Sequence, residues 1–425
     1  MAGSRVAVKQ AQKRKRNKTS LIVALVIILA GVGAGGCWFI RLSDYKKLLP
    51  GEVSFPEASE GHDQEILDVR QAFSKNIINI LLLGFDRDED RDKEYVAFRA
   101  DTIMLASINL ETGRADLVSV PRDSLVPIYN RGGGRDKINS AFVYGWSYGG
   151  GKTDEEKHQK GMLYQVETVS MALGGIPIHY YVTLDMDAVV QIVDAVGGVE
   201  FDVPKDIYHK NGRIIAPKGL QVFSGRRFLD YVRNRNYRDG DLQRVKNQQA
   251  ALLALFKQVK SLGSIIRIPK IYKSVVNNTD TNLSLEQIMS LAHYATQTMD
   301  TENISTHVLK TSFAWGRLSE SWTRSYSYLI IDQKARAKLL NELWGLEITP
   351  GATDTLYPPL PDEPEPTDED DEDEEIPPEE VEPGPGPDPD PNPDPDPAPD
   401  PQPDPDPDPE PDPEPDPDPE PDPEP

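Results

Sequence analysis

The sequence contains one stretch of twenty residues without a charge, from Leu21 to Ile40. Twenty helical residues extend about 30 Å, which matches the hydrocarbon core of a bilayer. Seven Lys and Arg residues and no acid precede this stretch. By the positive-inside rule, residues 1–20 form a cytoplasmic basic segment and the chain after Arg41 lies outside the cell. We therefore predict a single-pass protein of the cell membrane with its transmembrane helix over 21–40.

A cleaved signal peptide is the alternative, because Ala34-Gly35-Gly36-Cys37 loosely resembles a lipoprotein cleavage box. Ala34 stands where such boxes prefer a large aliphatic residue, and Trp38-Phe39-Ile40 continues the apolar run, so an anchor is favoured. Cys37 is the only cysteine. The exported part therefore has no internal disulfide, thiol nucleophile or zinc-thiolate site.

The end of the chain consists largely of proline alternating with Asp or Glu. From Pro361 onward there are 30 acids and no Lys or Arg, which exceeds the net charge of −24, so the remainder carries a small positive excess. Proline removes backbone donors and like charges repel, so we predict a disordered, extended acidic tail over 351–425. Binding of cations or of basic wall components is the functional alternative to a merely solvated tail.

The part between anchor and tail is nearly neutral, and basic patches interleaved with aromatic residues are missing from it. A nucleic-acid partner is therefore not predicted. Residues 41–75 are polar and contain Pro50, Gly51, Pro56 and Gly61, as expected of a stalk. We predict one extracellular catalytic domain over 76–350.

Apolar runs and helical patterns alternate within this domain. The run Ile77–Leu83 fits a strand buried on both faces, and four further strands are predicted over 102–108, 115–120, 178–184 and 199–203. Helices are predicted over 155–173 and 186–196. Strands that alternate with helices predict an α/β fold, a layered α-β-α sandwich with a mixed central sheet, whose sites lie on loops at strand ends.

The first polar cluster flanks a loop between two predicted strands. Asp86 ends the first strand, and Asp101 follows Arg99 at the start of the next. If these strands are neighbours, the two carboxylates can share a hard cation, for which Mg²⁺ is the natural choice beside phosphate oxygens. Turn capping, or pairing with Arg87, Arg91 or Arg99, is the structural alternative.

The second cluster is Pro121-Arg122-Asp123, directly after an apolar strand. The guanidinium of Arg122 at this strand end can hold a phosphate with two hydrogen bonds. A surface salt bridge between Arg122 and Asp123 is the alternative. Lys137 follows a run of three glycines and adds a charge nearby unless it is simply solvated.

The third cluster lies at a predicted helix start. Arg233 and Arg235 share one face if their segment is extended, so both can meet one diphosphate. In the following helix, Asp241, Arg244 and Gln248 share an edge beside a predicted apolar stripe that includes Leu242, Val245 and Phe256. Arg244 favours phosphate binding there, and Asp241 can accept a proton from an attacking hydroxyl. A helix cap with a local ion pair is the alternative.

The order of these motifs over about 76–256 resembles the LytR-CpsA-Psr family. The resemblance rests on Gly84-Phe85-Asp86, Arg99-Ala100-Asp101-Thr102, Pro121-Arg122-Asp123, Lys137-Ile138-Asn139, Val193–Val199, Arg233-Asn234-Arg235 and Asp241–Gln248. The cytoplasmic stub and single anchor are also similar to that family. Two departures are Lys246-Asn247, where the family often has a further arginine, and a long charged insert over 87–98.

The resemblance implies a Mg²⁺-dependent transferase that moves an anionic glycopolymer, such as wall teichoic acid or capsule, from undecaprenyl pyrophosphate to peptidoglycan. It implies metal binding by Asp86 and Asp101, and catalysis by Asp241 as the base with Arg122 and Arg244. For pyrophosphate binding it implies Arg99, Arg122, Arg233, Arg235, Arg244 and Gln248. A pyrophosphatase using water as attacker, and a non-catalytic wall-binding or regulatory protein, remain alternatives.

Overall fold

The apolar run at 77–83 forms a strand, Ile77–Phe85, that lies inside the central sheet and is almost wholly buried. A run without alternation suits this position because helices cover both faces of such a strand. The computed structural model describes residues 64–85, 99–209, 211–235, 240–261 and 279–361, which all belong to one compact unit.

Strands and helices alternate along the described residues, as predicted. The strands are β1 (Ile77–Phe85), β2 (Ala100–Asn109), β3 (Ala115–Ser119), β4 (Leu125–Pro127), β5 (Arg135–Lys137), β6 (Tyr180–Leu184), β7 (Val199–Val203), β8 (Ile207–Tyr208), β9 (Ile214–Ala216), β10 (Gly219–Phe223), β11 (Thr279–Thr281), β12 (Ile304–Val308), β13 (Thr311–Gly316) and β14 (Tyr326–Ile331). The helices are α1 (Gln64–Ala72), α2 (Ala141–Tyr148), α3 (Asp154–Ala172), α4 (Met186–Ala195), α5 (Gly225–Arg233), α6 (Gly240–Ser261), α7 (Leu285–Gln297) and α8 (Gln333–Trp344).

Six strands form the central sheet in the order β11-β6-β1-β2-β3-β12. β1 runs parallel to β6 and antiparallel to β2, and β3 runs antiparallel to β2 and parallel to β12. The sheet is therefore mixed, as predicted. The remaining strands form two-stranded ribbons: β4 with β5, β7 with β10, β8 with β9 and β13 with β14.

Helices cover both faces of this sheet. Residues of α4, α5, α6 and α7 share one buried apolar cluster with one face. On the other face, Trp344 of α8 donates from Nε1 to Ser107 Oγ at 3.0 Å, and the rings of Phe142 in α2 and Phe85 lie 5.4 Å apart. The predicted layered α-β-α arrangement is thus present, with each helix layer packed by its apolar side.

The structure moves both predicted domain boundaries outward. Helix α1 lies in the stretch predicted as a stalk, yet its Arg70 Nη2 contacts Glu167 Oε2 of α3 at 2.6 Å. Beyond residue 350, Tyr357 pairs with Arg317 as an isolated bridge, and Asp354 forms an ion pair with Arg135 Nη1 at 2.5 Å. Short polar sequences at both ends are therefore tied to the body by long-range contacts that local composition does not reveal.

Two local predictions around the third cluster differ from the structure. Arg233 is the last residue of α5, so the segment before Asn234 is helical and not extended. Leu242 is 38% exposed, so the apolar stripe of α6 does not include it, while Val245 and Phe256 are buried. Leu242 lies in the first turn of α6, two residues before the buried Arg244.

Among the described residues, no helix combines the length and the apolar character needed to cross a bilayer. The predicted anchor over 21–40 and the predicted tail beyond 361 lie outside them.

Candidate active site

Arg122 lies where β3 ends and contacts two carboxylates. Its Nη1 donates a hydrogen bond to Asp101 Oδ1, and its Nε lies 3.3 Å from Asp123 Oδ2. The side chain of Arg122 is only 12% exposed. The alternative pairing of Arg122 with Asp123 is therefore present, but as one part of a larger and mostly buried cluster that also includes Asp101.

Lys137 completes the cluster from the neighbouring ribbon. Its Nζ lies 3.1 Å from Asp123 Oδ1 and 5.8 Å from the ring centroid of Tyr328. The backbone N–H of Asn139 donates to Arg122 O at 3.2 Å, which ties the segment after β5 to the loop after β3. Lys137 therefore forms an ion pair. The alternative from the sequence, a lysine that is simply solvated, is wrong.

Asp123 is the centre of this charge network. Burial alone would raise the pKa of its carboxyl group, but the charges of Lys137, Arg122 and Arg244 and the hydrogen bond from Lys137 lower it to about 2. The net shift is downward because three cations act on one carboxylate. Asp123 is therefore ionised at neutral pH, and the positive charge of Arg244 on α6 also stabilises its carboxylate.

Helix α6 is fixed against the sheet in a way that positions Arg244. Gln249 Nε2 donates to Ser119 Oγ at 2.9 Å and to His307 O at 2.7 Å, so one side chain joins α6 to β3 and β12. Gln248 Nε2 donates to Val232 O in α5 at 3.3 Å. Arg244, one turn earlier on α6, is 3% exposed.

The arginines after α5 lie at the end of that helix. Arg233 is exposed and Arg235 is half-buried, while Asn234 between them is buried and donates from Nδ2 to Tyr208 O at 3.3 Å. Asn234 caps α5 with extended backbone angles, so the chain changes direction between the two arginines. If both arginines bind one ligand, this change of direction brings them together, and not a shared strand face.

Among the residues predicted from sequence, the structure brings Asp101 and Arg122 into contact, and the charge of Arg244 acts on the neighbouring Asp123. Arg99 is half-buried immediately before β2. Asp86 lies outside the described residues, and the structure describes only the backbone of Asp241, in the first turn of α6. The sequence missed the central role of Asp123 and Lys137. The sequence feature that could have revealed this role is the turn of three glycines at 132–134. A ribbon that folds back at this turn pairs Leu125 with Lys137.

Asp101 is the described residue of the predicted metal pair. Its Oδ1 accepts from Arg122, and its side chain is 22% exposed, so the second oxygen can face a ligand. β1 ends at Phe85, whose pairing partner is Ala100. Asp101 therefore lies at the end of the sheet where β1 finishes. Within the described ranges, no three His, Cys, Asp or Glu residues are grouped to hold a metal ion. A single carboxylate is compatible with a Mg²⁺ ion whose other ligands are phosphate oxygens and water molecules.

A narrow apolar groove with a cavity volume of about 20 Å³ lies along α6, towards the Ala115 end of β3. Its floor is formed by β2 and β3, and its wall by α6 from Leu252 to Phe256. Leu252 lies eight residues beyond Arg244, which is about 12 Å along the helix axis. The lining residues are Ala106, Ile108, Ala115, Leu117, Leu252, Leu253, Phe256, Met299 and Ile304. One helix therefore carries a buried cation near one end of its length and an apolar wall farther along.

Comparison with known proteins supports one family. Residues 53–344 match the model of the LytR_cpsA_psr family. The polyisoprenyl-teichoic acid–peptidoglycan teichoic acid transferase TagT of Bacillus subtilis (strain 168) is 28% identical over 302 residues, 69% of this chain and 86% of that protein. The transferase of the same description named TagU, from Bacillus mycoides (strain KBAB4), is 30% identical over 64% of this chain and 79% of its own length.

The solved structure of protein gbs0355 from Streptococcus agalactiae has the same fold. It superposes with a TM-score of 0.51 at 24% identity, covering 67% of this chain and 90% of that one. The family match spans more than half of the chain and includes every described residue of the polar cluster. The chain therefore belongs to the LytR-CpsA-Psr family.

Proposed function

We propose that the protein transfers an anionic glycopolymer from undecaprenyl pyrophosphate to peptidoglycan. The observation that carries this proposal is the cluster of three cations, Arg122, Lys137 and Arg244, around two carboxylates at a strand end. The five side chains have a net charge of +1 in a mostly buried site, so an anionic ligand balances them. The related TagT and TagU proteins are named as teichoic acid transferases that use polyisoprenyl-linked substrates.

The groove supports a lipid carrier as the donor. A polyprenyl chain is entirely apolar, and transfer of its surface from water into an apolar groove is favourable by about 25 cal/mol per Å². With the pyrophosphate at Arg244 and Arg122, the chain would follow α6 towards Leu252 and Phe256, where the groove must widen to admit it. Arg99, Arg233, Arg235 and Gln248 are proposed to hold the remaining phosphate oxygens.

The proposed reaction is an in-line displacement at the glycan-side phosphorus. A hydroxyl oxygen of the acceptor forms the new P–O bond, the bond to the bridging oxygen breaks, and polyprenyl phosphate leaves with that oxygen and its electron pair. Asp241 is proposed to accept the hydroxyl proton. Arg122 and Arg244 stabilise the negative charge that spreads over the phosphate oxygens, which is the main source of catalysis in phosphoryl transfer.

Asp101, together with Asp86, is proposed to hold Mg²⁺. When bound, the ion would neutralise charge on phosphate oxygens. No nucleotide is needed, because the pyrophosphate linkage of the donor supplies the driving force. This suits a reaction on the outer side of the membrane.

Transfer is tested with the purified full chain in detergent, a lipid-linked glycopolymer and peptidoglycan, with Mg²⁺ or with EDTA. We expect a covalent conjugate only with Mg²⁺, and its loss in Arg122→Ala. Arg226→Ala is the matched control, because Arg226 lies near the start of α5, is 77% exposed and pairs with Asp230. Released free glycan phosphate without conjugate would indicate a pyrophosphatase, and equal conjugate formation by Arg122→Ala would refute the site.

We also propose that the domain lies outside the cell, anchored by 21–40. Lys338→Cys in a Cys37→Ser background tests this, because the side chain of Lys338 is 77% exposed. A membrane-impermeant maleimide should label it in intact cells. Labelling only after lysis would place the domain inside the cell.

A further inference from the structure

The ribbon of β13 and β14 is joined directly to the loop that carries Asp123. The backbone N–H of Leu329 donates to Asp123 O at 2.9 Å, and Ser124 pairs with Leu329 as a parallel bridge. Side chains alternate along a strand, so Tyr328 lies on the opposite face from Leu329. Lys137 approaches the ring of Tyr328, which identifies that face of the ribbon as the one turned to the polar cluster.

Two further aromatic side chains continue this face away from the cluster. Tyr326 lies two residues from Tyr328, about 7 Å along the strand, and therefore on the same face. The ring of Trp322 lies 5.6 Å from that of Tyr326, edge-on at 84°. Tyr328 is buried, whereas Tyr326 and Trp322 are half-buried and keep part of their surface in solvent. An aromatic row thus leads outward from Lys137.

The turn that carries Trp322 is held in one conformation by Arg317. The Nη1 atom of Arg317 donates to Glu320 O at 2.7 Å and to Trp322 O at 3.1 Å, while its Nε donates to Pro358 O at 3.0 Å. The N–H of Trp322 donates to Ser319 O at 3.2 Å. Because the turn is already ordered, a ligand that stacks on Trp322 loses little binding energy to conformational entropy.

We propose that Trp322 and Tyr326 form the docking surface for the sugar rings of the acceptor glycan strand of peptidoglycan. This inference rests on the proposed function, which requires a second substrate beside the lipid-linked donor. A sugar ring presents C–H groups with weak positive charge on its faces and hydroxyl groups at its rim, which suits the negative face of an aromatic ring. Ser321 and Arg324, which are exposed next to the row, can bind the hydroxyl groups.

The position of the row favours the acceptor over the donor. The charge of Arg244 acts on Asp123 from α6, and the apolar groove lies farther along the same helix. The aromatic row approaches the same carboxylate from β14, through Lys137 and Tyr328. A lipid-linked donor on the α6 side therefore leaves the ribbon side for the attacking hydroxyl. In-line attack requires the two substrates to enter from opposite sides of the phosphorus.

Binding is tested separately from transfer. Soluble, uncross-linked peptidoglycan glycan strands are titrated into the full chain in detergent, and the dissociation constant is measured by isothermal titration calorimetry. We expect Trp322→Ala to weaken binding about tenfold, the size expected for loss of one stacked ring. Trp322→Leu keeps apolar bulk without the aromatic face and should weaken binding similarly. Phe313→Ala is the matched control, because Phe313 is 55% exposed on the opposite face of the same ribbon.

The outcomes separate this inference from the proposed function. Arg122→Ala should abolish transfer but keep glycan binding, whereas Trp322→Ala should raise the KM for the glycan strand and leave the melting temperature unchanged. Equal weakening by Phe313→Ala and Trp322→Leu, unaltered binding in a folded Trp322→Leu, or no saturable binding to the wild type would each overturn the docking surface. Absence of transfer in the wild type with Trp322-dependent binding would refute the proposed function only.

Discussion

At the scale of single residues, the site depends on one carboxylate that links two cations. Asp123 contacts Arg122 through Oδ2 and Lys137 through Oδ1. It therefore fixes the guanidinium group and the ammonium group relative to each other. Surface ion pairs contribute little, but a largely buried carboxylate with hydrogen-bonded partners contributes more. The consequence is a site in which the cations keep their places before any phosphate binds.

The lowered pKa of Asp123 predicts a pH dependence of stability. Its carboxyl group titrates at about 2 in the folded protein and near 3.8 otherwise. A lowered folded pKa stabilises the protein above the unfolded value, by about 2 kcal/mol here, and this contribution is lost as the pH falls from 4 to 2. In urea unfolding, Asp123→Asn should therefore lose less stability than the wild type over this range. Parallel pH profiles of the two proteins would contradict the prediction.

Arg122 is expected to be irreplaceable by lysine. Its Nη1 and Nε contact different carboxylates, Asp101 and Asp123, which a single ammonium group cannot reproduce together with a phosphate contact. We expect Arg122→Lys to lower the transfer rate about tenfold or more with little change in melting temperature. Wild-type rates in this variant would show that charge alone suffices.

At the scale of elements, α6 joins the polar cluster to the apolar groove. The helix carries Arg244 near its start and Phe256 about three turns further, and the side chain of Gln249 holds it on β3 and β12. One helix therefore sets the distance between Arg244 and the apolar groove. A change in how α6 packs on the sheet would move both at once.

Gln249→Leu tests this coupling. The substitution removes the donor to Ser119 Oγ and His307 O and leaves buried polar atoms without it, which costs about 1–3 kcal/mol in unfolding free energy. We expect transfer to fall as well, because Arg244 shifts with the helix. Ala250→Leu, on the exposed side of α6, should change stability by no more than about 0.5 kcal/mol. Chemical denaturation of both variants measures these changes in unfolding free energy.

At the scale of the whole molecule, the folded body extends beyond the predicted boundary at 350. Asp354 pairs with Arg135, and Tyr357 pairs with Arg317 across the edge of β13. Truncation after residue 361 should therefore leave transfer and the melting temperature unchanged. Truncation after residue 350 should lower the melting temperature, because it removes both contacts. Equal melting temperatures for the two truncated chains would show that 351–361 adds nothing to the fold.

Much of the architecture followed from local patterns. The strands at 77–85, 100–109, 115–119, 180–184 and 199–203 were predicted to within two residues at each end, because burial and side-chain alternation are properties of short segments. The placement of Arg122 at a strand end followed likewise from Pro121. The helical state of 231–233 was missed, because a short segment of mixed polarity has no clear period.

Contacts between distant segments decided the rest. No local pattern shows that Asp123 contacts Lys137 across a glycine turn, or that the charge of Arg244 on α6 acts on the same carboxylate. Nor does one show that a ribbon near the end of the domain lies against the loop after β3. Residue types and their order were enough to identify the family, since its motifs lie in short segments of the sequence. The geometry of the site depended on how the sheet orders its strands, because packing alone brings residues two hundred positions apart into contact.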